Sequence, residues 1–250
     1  MSGGEIVLVA LAGLACGAVN ALAGGGSLIL FPALVATGMG TLAANVSNSV
    51  ATWPGYLGGA YGFRAELGSQ RHRLPPLVVA TLAGSTTGCV LLLVTPTSAF
   101  DAIVPALVAA ASLLLAVQPV VARRAGEPGE GGRRHGRVQV LAIFAATIYG
   151  GYFGGALGVI VLGVLSLTVP ETLRRLNGLK TGLSVVDASV SVVVFGLFGP
   201  VQWVAVAAAA PATLLGGYLG ARVARHIDEV VLRWCVVVFG LAVAAYLALR

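Results

Sequence analysis

Six polar residues recur at spacings of three and four positions in one stretch of an otherwise strongly apolar sequence. They are Asn177, Lys180, Thr181, Ser184, Asp187 and Ser191. Residues at these spacings share one face of an α-helix. Lys180 is the only lysine in the chain, and Asp187 is the only acidic residue well inside an apolar stretch.

The two ionisable residues on this face suggest anion binding and proton transfer. Ionisable side chains inside membrane segments are functional candidates. We therefore expect Lys180 to bind an anion and Asp187 to carry a coupling proton. In the alternative, Lys180 extends its ammonium group to the membrane surface and Asp187 is satisfied by neighbouring hydroxyl groups.

A second candidate is the glycine triplet in "NALAGGGSLILFP", residues 20–32. Each glycine costs a helix about 1 kcal/mol relative to alanine, so the triplet predicts a break. A helix that starts near Ser27 offers free backbone N–H groups to an anion, which can approach closely where side chains are absent. Gly24, Gly25, Gly26 and Ser27 are therefore candidate ligands, and close helix packing is an equally good explanation. In "GGYFGGALGVIVLG", residues 150–163, packing or the break itself is favoured for Gly154, Gly155 and Gly158, because the local residues Ala156, Leu157 and Val159 offer no polar side chain.

A neutral polar stripe is predicted on an earlier helix, over residues 41–63. It consists of Asn45, Asn48, Ser49, Thr52 and Tyr56. Neutral groups coordinate a ligand without neutralising its charge, so Asn48 joins Asn177 and Thr181 as a candidate for substrate binding. Hydrogen bonding between helices is the alternative explanation.

Composition places these elements in a membrane. Of the 250 residues, 58% are hydrophobic and 10% are charged, whereas soluble domains carry about 25% charged residues. The uncharged stretches are 6–63, 74–100, 102–122, 138–170, 188–221 and 234–249. They do not alternate as barrel strands do, so the chain is predicted to be all-helical. The net charge of +6 fits cytoplasmic loops of a membrane protein better than nucleic-acid binding. Without metal-ligand spacing, no metal or cofactor is expected.

The order of features predicts two related halves, 1–122 and 138–250, joined by a cytoplasmic linker at 123–137. Predicted helices cover 5–22, 27–37, 41–63, 75–95, 101–122, 138–153, 158–169, 173–197, 200–222 and 228–249. Setting Gly25 opposite Gly158 places Ser47–Asn48 opposite Lys180–Thr181. Each half also ends with a helix pair whose first helix carries glycines four residues apart.

Charge distribution predicts how the halves cross the membrane. If each glycine-interrupted stretch enters and leaves on the same side, every Lys and Arg except Arg250 lies on one side, as cytoplasmic loops require. Residues 138–170 agree, because they would form one straight helix of about 50 Å, too long for a single upright crossing. Each half then has three crossings and a re-entrant segment. The halves are inverted repeats, an architecture typical of transporters.

The stretches "AGGGSLILFPAL", "AANVSN", "GGYFGGALGVIVLGVL" and "RRLNGLK" resemble the signatures of the sulfite exporter TauE/SafE permease family. The resemblance covers nearly the whole chain. It implies a multi-pass permease of the bacterial inner membrane for small, often sulfur-containing anions such as sulfite or an organosulfonate. Ser47–Asn48–Ser49 stands where many relatives have Thr-Asn-Lys, so the first half lacks one basic residue of that pattern.

An anion channel remains an alternative to a transporter. An intramembrane enzyme is disfavoured, because His72, His135 and His226 lie in or beside basic loops and neither HExxH nor GxSxG occurs. A purely structural membrane subunit leaves the polar stripes unused. The expected partners are therefore a small anion and the lipid bilayer.

Overall fold

The computed structural model describes residues 1–22, 24–124, 136–223 and 229–249. In these ranges the chain is almost entirely helical and contains no strand, which confirms the predicted all-helical fold. The helices are α1 (Gly3–Leu22), α2 (Ser27–Ala36), α3 (Thr41–Gly62), α4 (Arg64–Gly68), α5 (Leu74–Val94), α6 (Thr97–Arg124), α7 (Gly136–Tyr152), α8 (Leu157–Thr168), α9 (Leu173–Phe198), α10 (Trp203–Val223) and α11 (Glu229–Ala248), with a 3-10 turn at Arg71–Arg73.

Three local predictions were inaccurate. Helix α6 starts at Thr97 rather than 101, because Asp101 pairs with Thr41 inside the helix and does not mark its start. Helix α10 starts at Trp203 rather than 200, since its first helical hydrogen bond runs from Val206 N–H to Gln202 O, and the N–H of Gln202 donates to the Ser47 hydroxyl at 2.9 Å. The basic loop after α3 contains α4 and the 3-10 turn. Of the predicted linker, residues 125–135 lie outside the described part of the chain.

The helices have the length and surface of a multi-pass membrane protein. Five helical stretches within the described ranges are long and apolar enough to cross a bilayer: Gly3–Leu22, Arg71–Val94, Thr97–Pro119, Leu173–Phe198 and Trp203–Arg222. Large apolar side chains such as Val94, Leu197 and Phe198 are exposed on the outside of the bundle. In water such a surface would be unfavourable, and in lipid it is the expected one.

Helices α1 and α7 both end inside the bundle, and the same chemistry ends them. The backbone N–H of Gly24 donates to Val19 O at 2.9 Å, and that of Gly154 donates to Tyr149 O at 3.3 Å. Both glycines have positive φ angles, +87° and +74°. This left-handed conformation closes a helix C-terminus and suits glycine. The predicted breaks are therefore confirmed as helix ends.

Contacts at one end of the bundle join segments that are distant in sequence. We call residues 64–73 and 169–175 the basic end. There Glu66 pairs with Arg174 at 2.5 Å, Arg73 pairs with Glu171 at 3.5 Å, and Gln70 Nε2 donates to Arg175 O at 2.8 Å. We call residues 37–41, 95–101 and 199–202 the opposite end.

Helix packing is reciprocal between the predicted halves. Helix α1 packs along α10 of the second half, and α7 packs along α5 of the first. Both pairs are parallel and very close: a Cβ added at Gly17 would overlap Thr213 O, and one added at Gly88 would overlap Ile148 O. Helix α3 faces α9, and α6 faces α11. Each half therefore completes its packing with helices of the other.

The arrangement predicts a definite membrane topology. Positive charge concentrates on the cytoplasmic side, so the basic end is expected to face the cytoplasm. Leu247, near the end of α11, lines a cavity with Gly40 and Asp101 at the opposite end. A reporter enzyme that is active only outside the cytoplasm should therefore be active when fused after Arg250. The same reporter inserted within 125–135 should be inactive, and activity there would contradict this topology.

Candidate functional site

The two helix breaks meet backbone to backbone. A Cβ added at Gly24 would lie 2.8 Å from the Cα of Gly158, and one added at Gly158 would lie 2.7 Å from the Cα of Gly24. Real Cβ atoms do not approach backbone so closely, so the contact requires glycine at both positions. The contact joins Gly158 to Gly24, the neighbour of the Gly25 that the internal alignment sets opposite Gly158, and the division into two related halves stays a prediction.

The other glycines of the triplet have different surroundings. A Cβ at Gly26 would overlap the carbonyl oxygen of Cys16, so packing explains that glycine. The three atoms nearest to a Cβ at Gly25 all belong to the side chain of Leu115, the closest at 2.8 Å. Packing therefore accounts fully for Gly24 and Gly26, whereas Gly25 faces a side chain that can move. Ser27 is buried at the first residue of α2.

Asn20 organises the start of α2. Its side-chain Oδ1 accepts a hydrogen bond of 2.8 Å from the backbone N–H of Gly26. One of the backbone donors expected to be free is therefore already used. The sequence analysis missed Asn20, although an amide directly before a glycine triplet in an apolar helix was a visible signal. Its side chain caps α2 from the preceding helix.

Lys180 reaches the same residue from α9. Its side chain is only 1% exposed, and Nζ donates to the backbone carbonyl of Asn20 at 3.3 Å. The ammonium group is thus held inside the bundle and does not extend to the membrane surface. The carbonyl groups of the last helical turn have no intrahelical partner, so they attract cations. Lys180 therefore places a positive charge beside the last turn of α1.

Two other predicted residues of α9 lie near Lys180 and differ in their contacts. Thr181 donates its hydroxyl to Asn177 O at 2.7 Å, and its methyl group packs against Gly59 of α3. It acts in packing between helices. The side-chain Oδ1 of Asn177 is buried and has no hydrogen-bond partner among the described residues. Asn177 is therefore the better candidate for a ligand.

On α3, the neutral stripe makes the reciprocal contact. Asn45 Nδ2 donates to the backbone carbonyl of Tyr152 at the end of α7, at 3.0 Å. Helix α3 thus donates to the end of α7, just as α9 donates through Lys180 to the last turn of α1. Asn48 is 1% exposed, and its Oδ1 has no partner in the described chain. This leaves Asn48 available to bind a ligand.

Asp187 lies in a different part of the interior, between α5, α7 and α9. It is 5% exposed, and its Oδ1 accepts a hydrogen bond of 2.5 Å from the Ser85 hydroxyl. A Cβ at Gly150 would lie 2.7 Å from the same oxygen, so glycine at that position makes room for the carboxyl group. Seven residues of helix, about 10 Å, separate Asp187 from Lys180. Sequence reasoning missed Ser85, because helical spacing does not show which helices become neighbours.

The interior of this helical bundle therefore combines two paired helix breaks, a buried ammonium group and a buried carboxyl group. Comparison with family models gives one match, sulfite exporter TauE/SafE, over residues 9–247. The chain belongs to the sulfite exporter TauE/SafE family. Searches of curated proteins and of solved structures gave no match. The predicted resemblance is confirmed, and the TauE/SafE assignment implies a membrane transporter of sulfur-containing anions.

Gly25 provides a test that separates packing from ligand binding in this TauE/SafE protein. In Gly25→Ala, the atoms nearest to the new Cβ belong to Leu115. Leu115→Ala removes these atoms and leaves a cavity, so the double variant should be no less thermally stable than Leu115→Ala alone. Transport in proteoliposomes should stay impaired, because the methyl group still prevents an anion from approaching the backbone.

The matched control is Gly40→Ala, since no atom lies within 4 Å of a Cβ at that position. It should behave as wild type in both assays. Wild-type transport by the Gly25→Ala/Leu115→Ala double variant would show that Gly25 serves packing only.

Proposed function

We propose that this protein transports a small sulfur-containing anion, such as sulfite or an organosulfonate, across the bacterial inner membrane. The observation that carries the proposal is the buried ammonium group of Lys180, which donates to Asn20 O in the last turn of α1, shortly before the glycine triplet. An anion in a membrane interior needs a compensating charge, because burying it bare is very costly. Family membership supports the substrate class.

The anion site is proposed at the start of α2, beside Lys180. The positive end of the α2 dipole and the ammonium group both favour negative charge there. Of the four candidates Gly24, Gly25, Gly26 and Ser27, the proposed site uses the backbone N–H groups of Gly25 and Ser27, because those of Gly24 and Gly26 already donate to Val19 O and Asn20 Oδ1. Asn48 and Asn177 are proposed to contact the anion through their Nδ2 groups, because an amide Nδ2 donates hydrogen bonds whereas the unpartnered Oδ1 atoms only accept them.

The proposed architecture is a pair of inverted repeats with re-entrant segments. Parallel packing on α10 supports a start of α1 at the opposite end, and the Thr41–Asp101 contact supports a return of α2 to that end. Packing of α7 on α5 and the Arg73–Glu171 pair support the same course for α7 and α8 from the basic end. The reciprocal contacts of Lys180 and Asn45 agree with such a symmetry.

A transporter fits the breaks better than an open channel. The backbones of Gly24 and Gly158 are in direct contact, so a substrate can pass between the breaks only if they separate. Movement of one half against the other supplies that step in inverted-repeat transporters. We propose that Asp187 carries the coupling proton, because it is a buried carboxyl group on the same helix as Lys180.

Counterflow in proteoliposomes tests the function directly. Vesicles are loaded with unlabelled sulfite, thiosulfate, sulfoacetate or chloride, and uptake of the same labelled anion is followed. We expect transient, saturable accumulation of a sulfur-containing anion and none of chloride. Flux that rises linearly with concentration would indicate a channel, and no flux of any of these anions would contradict the proposal.

Replacing Lys180 should weaken substrate binding. Lys180→Ala removes the buried charge, so the KM for the anion should rise, by about tenfold or more if a desolvated charge pair is lost. Lys180→Arg should recover part of the affinity, because it keeps the charge with different donor geometry. The control is Arg64→Ala at the exposed surface of the basic end, which should leave KM unchanged. An unchanged KM in Lys180→Ala would exclude Lys180 from the site.

Replacing Asp187 should affect coupling. Asp187→Asn keeps an acceptor for Ser85 but cannot take up a proton. Accumulation driven by a pH gradient should therefore be lost, while counterflow exchange persists. If the two groups instead form a functional pair, the double variant Lys180→Ala/Asp187→Asn should be no worse than either single variant. Unchanged pH-driven accumulation in Asp187→Asn would remove the coupling role.

A further inference from the structure

The interface between α5 and α9 carries polar side chains in register. Ser85 bonds to Asp187, and the Sγ of Cys89 lies 3.6 Å from the Ser191 hydroxyl. Both contacts join residues 102 positions apart, so the two helices run parallel in this region. The same spacing sets Thr81, one turn nearer the basic end on α5, opposite position 183 of α9, directly beside Ser184. We call these side chains and Asp187 the α5–α9 seam.

Thr81 and Ser184 are buried hydroxyl groups without partners. Thr81 is 0% exposed and Ser184 is 1% exposed, and neither hydroxyl has a hydrogen-bond partner in the described chain. An unmade hydrogen bond in the interior costs about 1–3 kcal/mol. Thr81 lies one turn before Ser85, and Ser184 lies one turn before Asp187, so both share the face that carries the carboxyl group. The seam therefore offers oxygen atoms that the protein itself does not use.

The corresponding interface between α3 and α10 contains, among its described residues, no such open polar seam. The spacing of the paired glycines makes Thr213 the counterpart of Thr81 and Gly217 the counterpart of Ser85. Between α3 and α10, Thr213 donates to Ala51 O at 2.7 Å, and a Cβ at Gly217 would overlap Gly55 O. Backbone contact fills that interface. At the α5–α9 interface, a carboxyl group and hydroxyl groups take the place of that backbone contact.

The chemistry of the seam selects a cation. A carboxylate repels the anionic substrate, and carboxylate and hydroxyl oxygens are ligands for hard cations. A proton needs one acceptor, whereas the seam provides the Asp187 carboxylate and three hydroxyl oxygens. We propose that the α5–α9 seam binds a dehydrated Na⁺ ion between Asp187 and the hydroxyl groups of Thr81, Ser85 and Ser184.

This site gives the coupling step an alternative to the proton. Na⁺ and the coupling proton would use the same carboxylate, so each excludes the other. As an account of coupling, the inference rests on the proposed transport function. As a binding site, it is testable in the purified protein without any substrate.

The test is the melting temperature of the purified full chain in choline chloride, with choline replaced by Na⁺ or K⁺ at constant ionic strength. Na⁺ that binds only the folded protein should raise Tm saturably, by about 3–6 °C at tenfold over its dissociation constant. K⁺ should have a much smaller effect. Thr81→Val, Ser184→Ala and Asp187→Asn should each lose the Na⁺ shift while remaining folded in choline chloride.

Thr86→Val is the matched control, because Thr86 lies on α5 with an exposed side chain and bonds only to its own helix. It should keep the Na⁺ shift. Absence of a Na⁺-specific shift in the wild type would overturn the site, and so would a shift that survives in both Thr81→Val and Ser184→Ala. If counterflow of a sulfur-containing anion persists in either case, the proposed transport function stands. A Na⁺ shift without any anion transport would retain the site and reject that function.

Discussion

A helix that ends in the interior of a bundle has to find partners for its last carbonyl groups away from water. Helices α1 and α7 both meet this requirement through the protein. Gly24 and Gly154 fold back onto carbonyl groups of their own helices, and Lys180 and Asn45 donate from the other half to Asn20 O and Tyr152 O. Unsatisfied backbone groups cost several kcal/mol each in lipid. The interior of the bundle depends on these few hydrogen bonds.

The same requirement links stability with binding. Lys180 satisfies a helix end, and it is also the positive charge proposed to hold an anion. A bound anion would compete with the carbonyl group for the ammonium, so substrate binding and the conformation of the α1–α2 break are connected. Because Lys180 has a structural role in the empty protein, anion binding at Lys180 can change the conformation of this break directly.

The sequence predicted the helices, both breaks and the polar face of α9, because each of these depends on local propensity or on helical periodicity. It did not predict Asn20 as a cap, the Asn45–Tyr152 bond or the Ser85–Asp187 pair. Periodicity shows which residues share a face and not which helix that face contacts. The short helix α4 was missed for a related reason, since contacts with the start of α9 hold it in place.

The exchange of packing partners between the halves has a consequence for biogenesis. During synthesis, α1 and α2 emerge from the ribosome long before α9 and α10, which supply Lys180 and the close partner of α1. The first half therefore waits in the membrane with its helix end incompletely satisfied, and assembly is completed only when the last third of the chain has been inserted. A chain truncated after its first half lacks the groups that its own core requires, so quality control can recognise it by the polar backbone it leaves in lipid.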